Sequence, residues 1–164
     1  MIRIEIPFIV EKPIELVFQR ISNVADYHSW VPQESGFFLG NEITSKGQFG
    51  IGTTYMDKLK WRGRAMGKII AFDPPTKVKF QQTTWFGVKV FTAIGEYTLM
   101  GSGSFTEVIH RFEVTAHGIF KLMEPILSTL IRSERERTCK AIKLGLERDP
   151  QIPDLKPHST SVSN

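Results

Sequence analysis

One histidine in this chain falls where it could move protons. His110 lies in an alternating stretch, Ser104 to Thr115, in which Val108, His110, Phe112 and Val114 share one face. Glu107, Arg111 and Glu113 share the other. The apolar face of such a strand turns inward, so His110 is expected inside. An imidazole titrating near neutral pH can serve as general acid or base on an enolisable substrate. A core histidine bonded to a neighbour leaves the same pattern, and both readings stand. Tyr55 and Asp57 share a face of a second strand, and alternation alone does not say which face looks inward. His110, Tyr55 and Asp57 are the candidate catalytic groups. Asp57 and Glu134 could form a carboxylate pair, because burial raises a carboxyl pKa and lets it donate a proton. The simpler outcome for Glu134 is an ion pair with Arg137, three residues on, along a solvated helix face.

Other chemistries find less support. Trp30, Trp61 and Trp85, with Phe91, could frame a pocket mouth or simply fill core, and Phe37 and Phe38 read the same way. Gly50-Ile51-Gly52 is too short for a dinucleotide fingerprint and precedes a strand. No serine sits in a nucleophile elbow. His28, His110, His117 and His158 are scattered without ligand spacing, so no metal is expected, and no cofactor motif is present. Cys139 reads as a small buried hydrophobe.

The 164 residues suit one domain with room for a core and a pocket. Apolar content of 41% and charged content of 23% are those of an ordinary globular protein. The 12 phenylalanines supply large apolar surface for a core or around a greasy ligand. A net charge of +4 and a pI near 9.3 are mild, and Lys and Arg are spread along the chain. Nucleic acid is therefore not an expected partner. One cysteine excludes a disulfide framework within the chain and suits a reducing compartment. The start, Met1 to Pro7, has no apolar signal core, and no run approaches the about 18 apolar residues of a membrane span. A cytoplasmic protein is the expectation. Oligomeric state leaves no signal.

The elements that would position these groups read clearly. Ile2, Ile4 and Ile6 alternate with Arg3 and Glu5 in a first strand. Pro13 opens a helix carrying Ile14, Val17, Phe18 and Ile21, and a second short helix covers Val24 to Trp30. Strands follow over Phe37 to Ile43, Thr53 to Trp61, Arg64 to Phe72, Lys77 to Trp85 and Val88 to Leu99. In the fifth strand Val78, Phe80, Gln82 and Thr84 share the inward face. In the sixth, Val88, Val90, Thr92 and Ile94 are the plausible inward set. After a Gly-Ser-Gly turn and the strand bearing His110, a long helix runs from about Ile119 to Glu147. Pro125 either kinks it or marks its start. Its stripe, Phe120, Met123, Leu127, Ile131, Ile142 and Leu146, turns polar midway at Glu134, Arg135 and Thr138. A long helix laid on a curved sheet, its stripe broken at the centre, suits a fold that encloses a cavity. Residues 149–164 read as a flexible tail.

This order resembles the helix-grip fold of the START / Bet v 1-like (SRPBCC) superfamily, and within it the polyketide cyclase/dehydrase-like branch. The resemblance rests on Pro13-Ile14-Glu15-Leu16-Val17-Phe18 through Tyr27-His28-Ser29-Trp30-Val31-Pro32, on Gly50-Ile51-Gly52-Thr53, on Gly67 to Pro75, and on Gly95-Glu96-Tyr97-Thr98-Leu99 with Thr106-Glu107-Val108. It implies an α+β fold: an about seven-stranded curved antiparallel sheet around a long C-terminal helix, with two short helices after the first strand, as one domain over 1–148. It also implies a hydrophobic small molecule, lipid-like, polyketide-like or aromatic, held as by a carrier or sensor. The expected lining is Tyr55, Phe80, Gln82, Thr84, Val90, Thr92, Val108, His110, Phe112, Leu127, Ile131, Glu134 and Thr138. A cyclase or dehydratase is the alternative. The stretch Ala25 to Pro32 also resembles the quinone-binding and ribosome-associating branch, which is the third reading.

Overall fold

The computed structural model describes residues 1–27, 38–46 and 48–148, excluding the side chains of Ala25 and Phe38. Strand β1 (Ile2–Val10) leads into helix α1 (Ile14–Ser22) and a 3-10 turn (Val24–Asp26). Strands β2 (Phe38–Ile43), β3 (Thr54–Leu59), β4 (Arg64–Asp73), β5 (Lys77–Phe86), β6 (Val88–Ser102) and β7 (Phe105–Ala116) follow. A second 3-10 turn (Gly118–Met123) opens helix α2 (Glu124–Arg148). The seven strands form one antiparallel sheet in the order β1-β7-β6-β5-β4-β3-β2. The long C-terminal helix lies against it, as the helix-grip reading expected. The second short helix is represented by the 3-10 turn, and the rest of that expected segment lies outside the described residues, as do Trp30, Phe37 and 149–164.

Local chemistry explains the elements. Pro13, with φ −61° and ψ 147°, caps α1 in extended form, and its carbonyl accepts the Val17 N–H at 3.1 Å. Val17, Phe18 and Ile21 then fall on one buried face. Arg20 bonds Asp26 at 2.9 Å and ties the helix to the 3-10 turn. Pro125 stands in the first turn of α2 and so marks its start, not a kink. The β6–β7 hairpin turns on Gly103 (φ +62°) and Ser104, with Ser102 paired to Phe105.

Two irregularities matter for the site. The pairing of β4 with β5 shifts between Ile69 and Ala71, and that of β5 with β6 shifts between Thr84 and Trp85, leaving Val90 as the extra residue. Such bulges bend and twist a sheet. The second one also reverses the alternation expected for β6. Ala93, Gly95, Tyr97 and Leu99 face inward, paired beside Val114, Phe112, His110 and Val108. Thr92 and Ile94 face outward, and Val88 is 61% exposed. Val90, at the bulge, is buried.

The interior is two apolar clusters. The larger joins Val17, Phe18 and Ile21 of α1 to Ile69, Val78, Phe80, Leu99 and Val108 of the sheet and Ile142 and Leu146 of α2. The smaller joins Ile2, Ile4, Ala93 and Val114, with Phe91, Phe112, Leu127 and Ile131 packed on it. Helix α2 is buried only in its second half, at Cys139, Ala141, Ile142, Gly145 and Leu146. The expected stripe therefore splits. Its C-terminal residues are core, Leu127 and Ile131 are half-buried, and Met123 is 43% exposed.

Candidate functional site

The pairing registers place the titratable groups in rows across the inner face. Tyr55, Gly67, Gln82, Ala93 and Val114 form one row. Asp57, Ala65, Thr84, Phe91 and Ala116 form the next toward the β3–β4 turn. Phe80, Gly95 and Phe112 lie on the other side, followed by Val78, Tyr97 and His110. Paired residues share a face, so Tyr55 and Asp57 look inward with His110. The centre of this face is floored by small residues, Ala65, Gly67, Ala93 and Gly95, and by the half-buried Gln82 and Thr84. The Tyr55 ring lies across Gly67, where an added Cβ would stand 2.1 Å from Tyr55 Cζ. The signal was present in the sequence as Ala65-x-Gly67 and Ala93-x-Gly95, small residues at strand spacing, and sequence reasoning passed over it.

Asp57 accepts a hydrogen bond from the Gln82 side-chain amide. Burial raises its pKa to about 7, opposed by the Gln82 bond and by the charge of Arg135. Near neutral pH it is therefore part acid, part carboxylate. His110 is 2% exposed. Burial lowers its pKa to about 3, the Arg135 charge adds to this, and a hydrogen bond with the Glu96 backbone opposes it. The expectation of an imidazole poised near neutrality is thus corrected: the ring is neutral at physiological pH and is a weak base. It stacks on Tyr97 with centroids 4.3 Å apart, and its Nδ1 has no hydrogen-bond partner among the described residues. Burial holds Tyr55 and Tyr97 well above the ordinary phenol range, so both remain protonated donors. Tyr27 is held protonated in the same way and donates its hydroxyl to the Ile21 carbonyl.

Helix α2 adds a group that sequence reasoning did not select. Arg135 is half-buried, with its guanidinium carbon 4.8 Å from the Phe112 ring centroid. Its charge bears on Asp57, Tyr55, Tyr97, His110 and Cys139. No described carboxylate lies within ion-pair distance of it. Its position was readable: it stands four residues after Ile131 and four before Cys139, on the stripe itself. Glu134 does pair with Arg137, at 3.7 Å, as the surface reading expected. Yet its Oε1 is buried without a partner, and no Asp57–Glu134 contact forms. Thr138 bonds back to the Glu134 carbonyl at 2.8 Å.

The remaining candidates separate. Phe80 and Val108 belong to the larger apolar cluster, while Phe112, Leu127 and Ile131 pack on the smaller. Thr92 lies outside, bonded to His117 Nε2 at 2.8 Å. Cys139 is buried and its thiol pKa is pushed up to about 12 by burial, which makes it a packing residue. Trp61 is 73% exposed on the β3–β4 turn. A surface groove of about 490 Å³ lies elsewhere, lined by Ile9, Glu11, Ser102, Phe105, Glu107 and Lys143, and it holds none of the candidates. Among the described residues no cluster of His, Cys, Asp and Glu could hold a metal ion, and no helix is long and apolar enough to cross a membrane.

No protein-family model matches the chain, and no curated protein sequence matches it significantly. Solved structures do. A START superfamily protein from Mycobacterium smegmatis superposes with a TM-score of 0.68 at 13% identity, over 88% of this chain and 97% of that one. The Zhui aromatase/cyclase from a Streptomyces species gives 0.67 at 14%, over 88% and 90%. A protein of the dynemicin biosynthetic locus gives 0.64 at 12%, over 93% of this chain and 50% of that one. The chain has the START-like helix-grip fold, the fold of a structurally characterised aromatase/cyclase. At these identities the likeness reaches the fold and stops there.

Proposed function

We propose that the protein binds a hydrophobic small molecule, lipid-like, polyketide-like or aromatic, between the inner face of the sheet and the first half of α2, as a carrier or sensor. One observation carries this reading. Small and polar side chains (Ala65, Gly67, Gln82, Thr84, Ala93) run across the inner face of the sheet, and the first half of α2, whose Leu127 and Ile131 pack on the cluster that includes Ala93, is not buried. Small-molecule sites have this composition: mostly apolar, with a few converging polar groups. Tyr55, Gln82, Thr84 and His110 form the polar part of the proposed lining, with Glu134, Arg135 and Thr138 from the helix. Phe112, Leu127 and Ile131 form the apolar part, and Phe80, Val90 and Val108 back it. Arg135 and the donors Tyr55 and Tyr97 favour a ligand with an acidic or carbonyl oxygen at one end.

Native mass spectrometry of protein purified from its own host tests this, compared with the Ala93→Leu variant, which fills the floor. Retention of a small apolar molecule by the wild type and its loss from a folded variant is the expected result. Equal retention by both moves the site elsewhere.

A second reading, a cyclase or dehydratase, is favoured by Asp57, whose pKa of about 7 suits a group that both gives and takes a proton. In that reading Asp57 is the acid/base and neutral His110 orients the substrate. Asp57→Asn would then abolish turnover of a polyketide-like substrate while leaving its affinity within a few-fold. The quinone or ribosome reading rests on Ala25 to Pro32, most of which lies outside the described residues.

A further inference from the structure

Residues that are dispersed along the chain converge at one end of the sheet. The β3–β4 turn, the β5–β6 turn and the 3-10 turn after β7 are neighbours there. Arg64 pairs with Trp85, and an added Cβ at Gly63 would meet the Phe86 ring at 2.2 Å. The His117 N–H bonds the Val90 carbonyl at 2.8 Å, and Phe91 and Phe120 are 6.1 Å apart. This rim exposes large apolar side chains: Trp61 at 73%, Val88 at 61%, Ile119 at 72%, Leu122 at 83% and Ile126 at 64%. Interleaved with them are Lys60, Arg62, Arg64, Lys89 and Lys121, all exposed. The segments 60–64, 85–91 and 117–123 contain no Asp or Glu. Glu124, the nearest carboxylate on the helix, is already bonded by the Met1 amino group at 2.9 and 3.1 Å.

The β3–β4 turn adds a second, independent observation. Its two central residues, Trp61 (φ 55°) and Arg62 (φ 59°), both occupy the left-handed region. Hairpins of this type normally place Asn-Gly there. Holding a tryptophan and an arginine in that conformation is strained, and it presents Trp61 at 73% exposure beside Arg62 at the end of the sheet.

We propose that this rim docks on the surface of an anionic phospholipid bilayer. Tryptophan and aliphatic side chains enter the headgroup boundary while lysines and arginines meet anionic headgroups. Nucleic acid fits less well, because Val88, Ile119, Leu122 and Ile126 offer no stacking surface for bases. A second copy of the chain would oppose like charges. The proposal is independent of the bound small molecule.

The test uses the full chain and vesicles of phosphatidylcholine, alone or with about one third phosphatidylserine, with no small ligand added. Co-sedimentation is expected with the anionic vesicles, together with a blue shift of tryptophan emission that Trp61→Phe diminishes. Leu122→Asp should lower partition at least about tenfold. Each charge reversal, Arg62→Glu or Arg64→Glu, should lower it by about fivefold or more. These positions are exposed, so unchanged thermal unfolding shows that the variants fold. Met100→Asp, exposed at the opposite end of β6, should leave partition unchanged. Several results overturn the proposal: no binding to anionic vesicles, equal binding to neutral ones, equal loss in Met100→Asp, or displacement from vesicles by single-stranded RNA with unchanged binding of Leu122→Asp to that RNA. None of them touches the small-molecule reading, which the Ala93→Leu comparison decides.

Discussion

Two desolvated groups on the inner face, the half-buried Asp57 and the buried His110, should drive stability in opposite directions with pH, and separating them tests whether that face excludes water at both. Asp57 is displaced from an ordinary value near 3.8 to about 7. The folded state therefore holds its proton where the unfolded chain has released it. Its contribution is fully present below about pH 4 and is lost as pH rises through about 7. At about 1.4 kcal/mol per pH unit the full effect is about 4 kcal/mol. His110 is displaced the other way, from 6.5 to about 3. Its contribution is fully present above about pH 6.5 and is lost as pH falls toward 3, at most about 5 kcal/mol.

Between pH 5 and 6.5 the two trends nearly cancel, so the wild type should show a shallow profile there. The perturbations are Asp57→Asn, which keeps an acceptor for Gln82, and His110→Phe, which keeps the stack on Tyr97. In Asp57→Asn only the histidine remains, and stability should rise by about 2 kcal/mol from pH 5 to 6.5. In His110→Phe only the aspartate remains, and stability should fall by about 2 kcal/mol over the same interval. Urea unfolding at half-unit pH steps reads both slopes, and that interval lies above the titration of ordinary surface carboxylates. Slopes of the same sign in the two variants would show that Asp57 and His110 are not both desolvated on the inner face, which would refute the inward placement of one of them.

Arg135→Met removes the one charge that lowers both groups. Both pKa values should then move up together, as followed by NMR of the Asp57 carboxyl and the His110 ring. Movement of neither would place Arg135 in solvent. Gly67→Ala puts a methyl group into the Tyr55 ring. It should cost about 1–3 kcal/mol in urea unfolding, whereas Gly87→Ala, in an open turn at φ +77° with nothing near its Cβ, should cost only about 1 kcal/mol of backbone strain. Equal costs would mean that Tyr55 does not lie across the sheet at Gly67.

Most of the fold could be read from alternation. Strand β5 and strand β7 keep strict period two, so Val78, Phe80, Gln82 and Thr84, and Val108, His110, Phe112 and Val114, face inward as read. Strand β6 failed for a definite reason. Its first residues were counted from Val88, and the bulge at Val90 reverses the parity of everything after it. Nothing in Val-Lys-Val-Phe-Thr marks that bulge, because it arises from pairing with β5. Arg135 was read onto the helix stripe but left out of the lining, for a different reason. In the run Arg132 to Arg137 every residue is polar, and a charge run reads as a solvated face. The helical phase from Ile131 to Cys139, which put Arg135 on the stripe, marks it as the one arginine of the run that is half-buried. The pKa of His110 could not be read from sequence, since it depends on Tyr97, Arg135 and the neighbouring strands closing over the ring.

The polar layer and the rim belong to one design once the helix is used as a ruler. A chain selected only for stability would carry Val and Leu at these inward positions of the sheet and helix. This one places there a carboxyl near pKa 7, a histidine with an unpartnered Nδ1 and a glutamate oxygen without a donor. Each unsatisfied group costs about 1–3 kcal/mol, and the cost is recovered only when a polar partner arrives. Arg135 marks where that partner would stop. Ile126, on the rim, lies nine residues earlier on the same helix, about 14 Å away at 1.5 Å per residue. Between them Leu127 and Ile131, half-buried, pack on the smaller apolar cluster. An amphiphile entering head first would set its oxygen against Arg135 and leave its tail along Leu127 toward the exposed rim. The same rim carries the cations and the strained Trp61 that suit a bilayer surface. If both proposals hold, the bilayer would be the source or sink of the small molecule, whose tail would pass between them without crossing water.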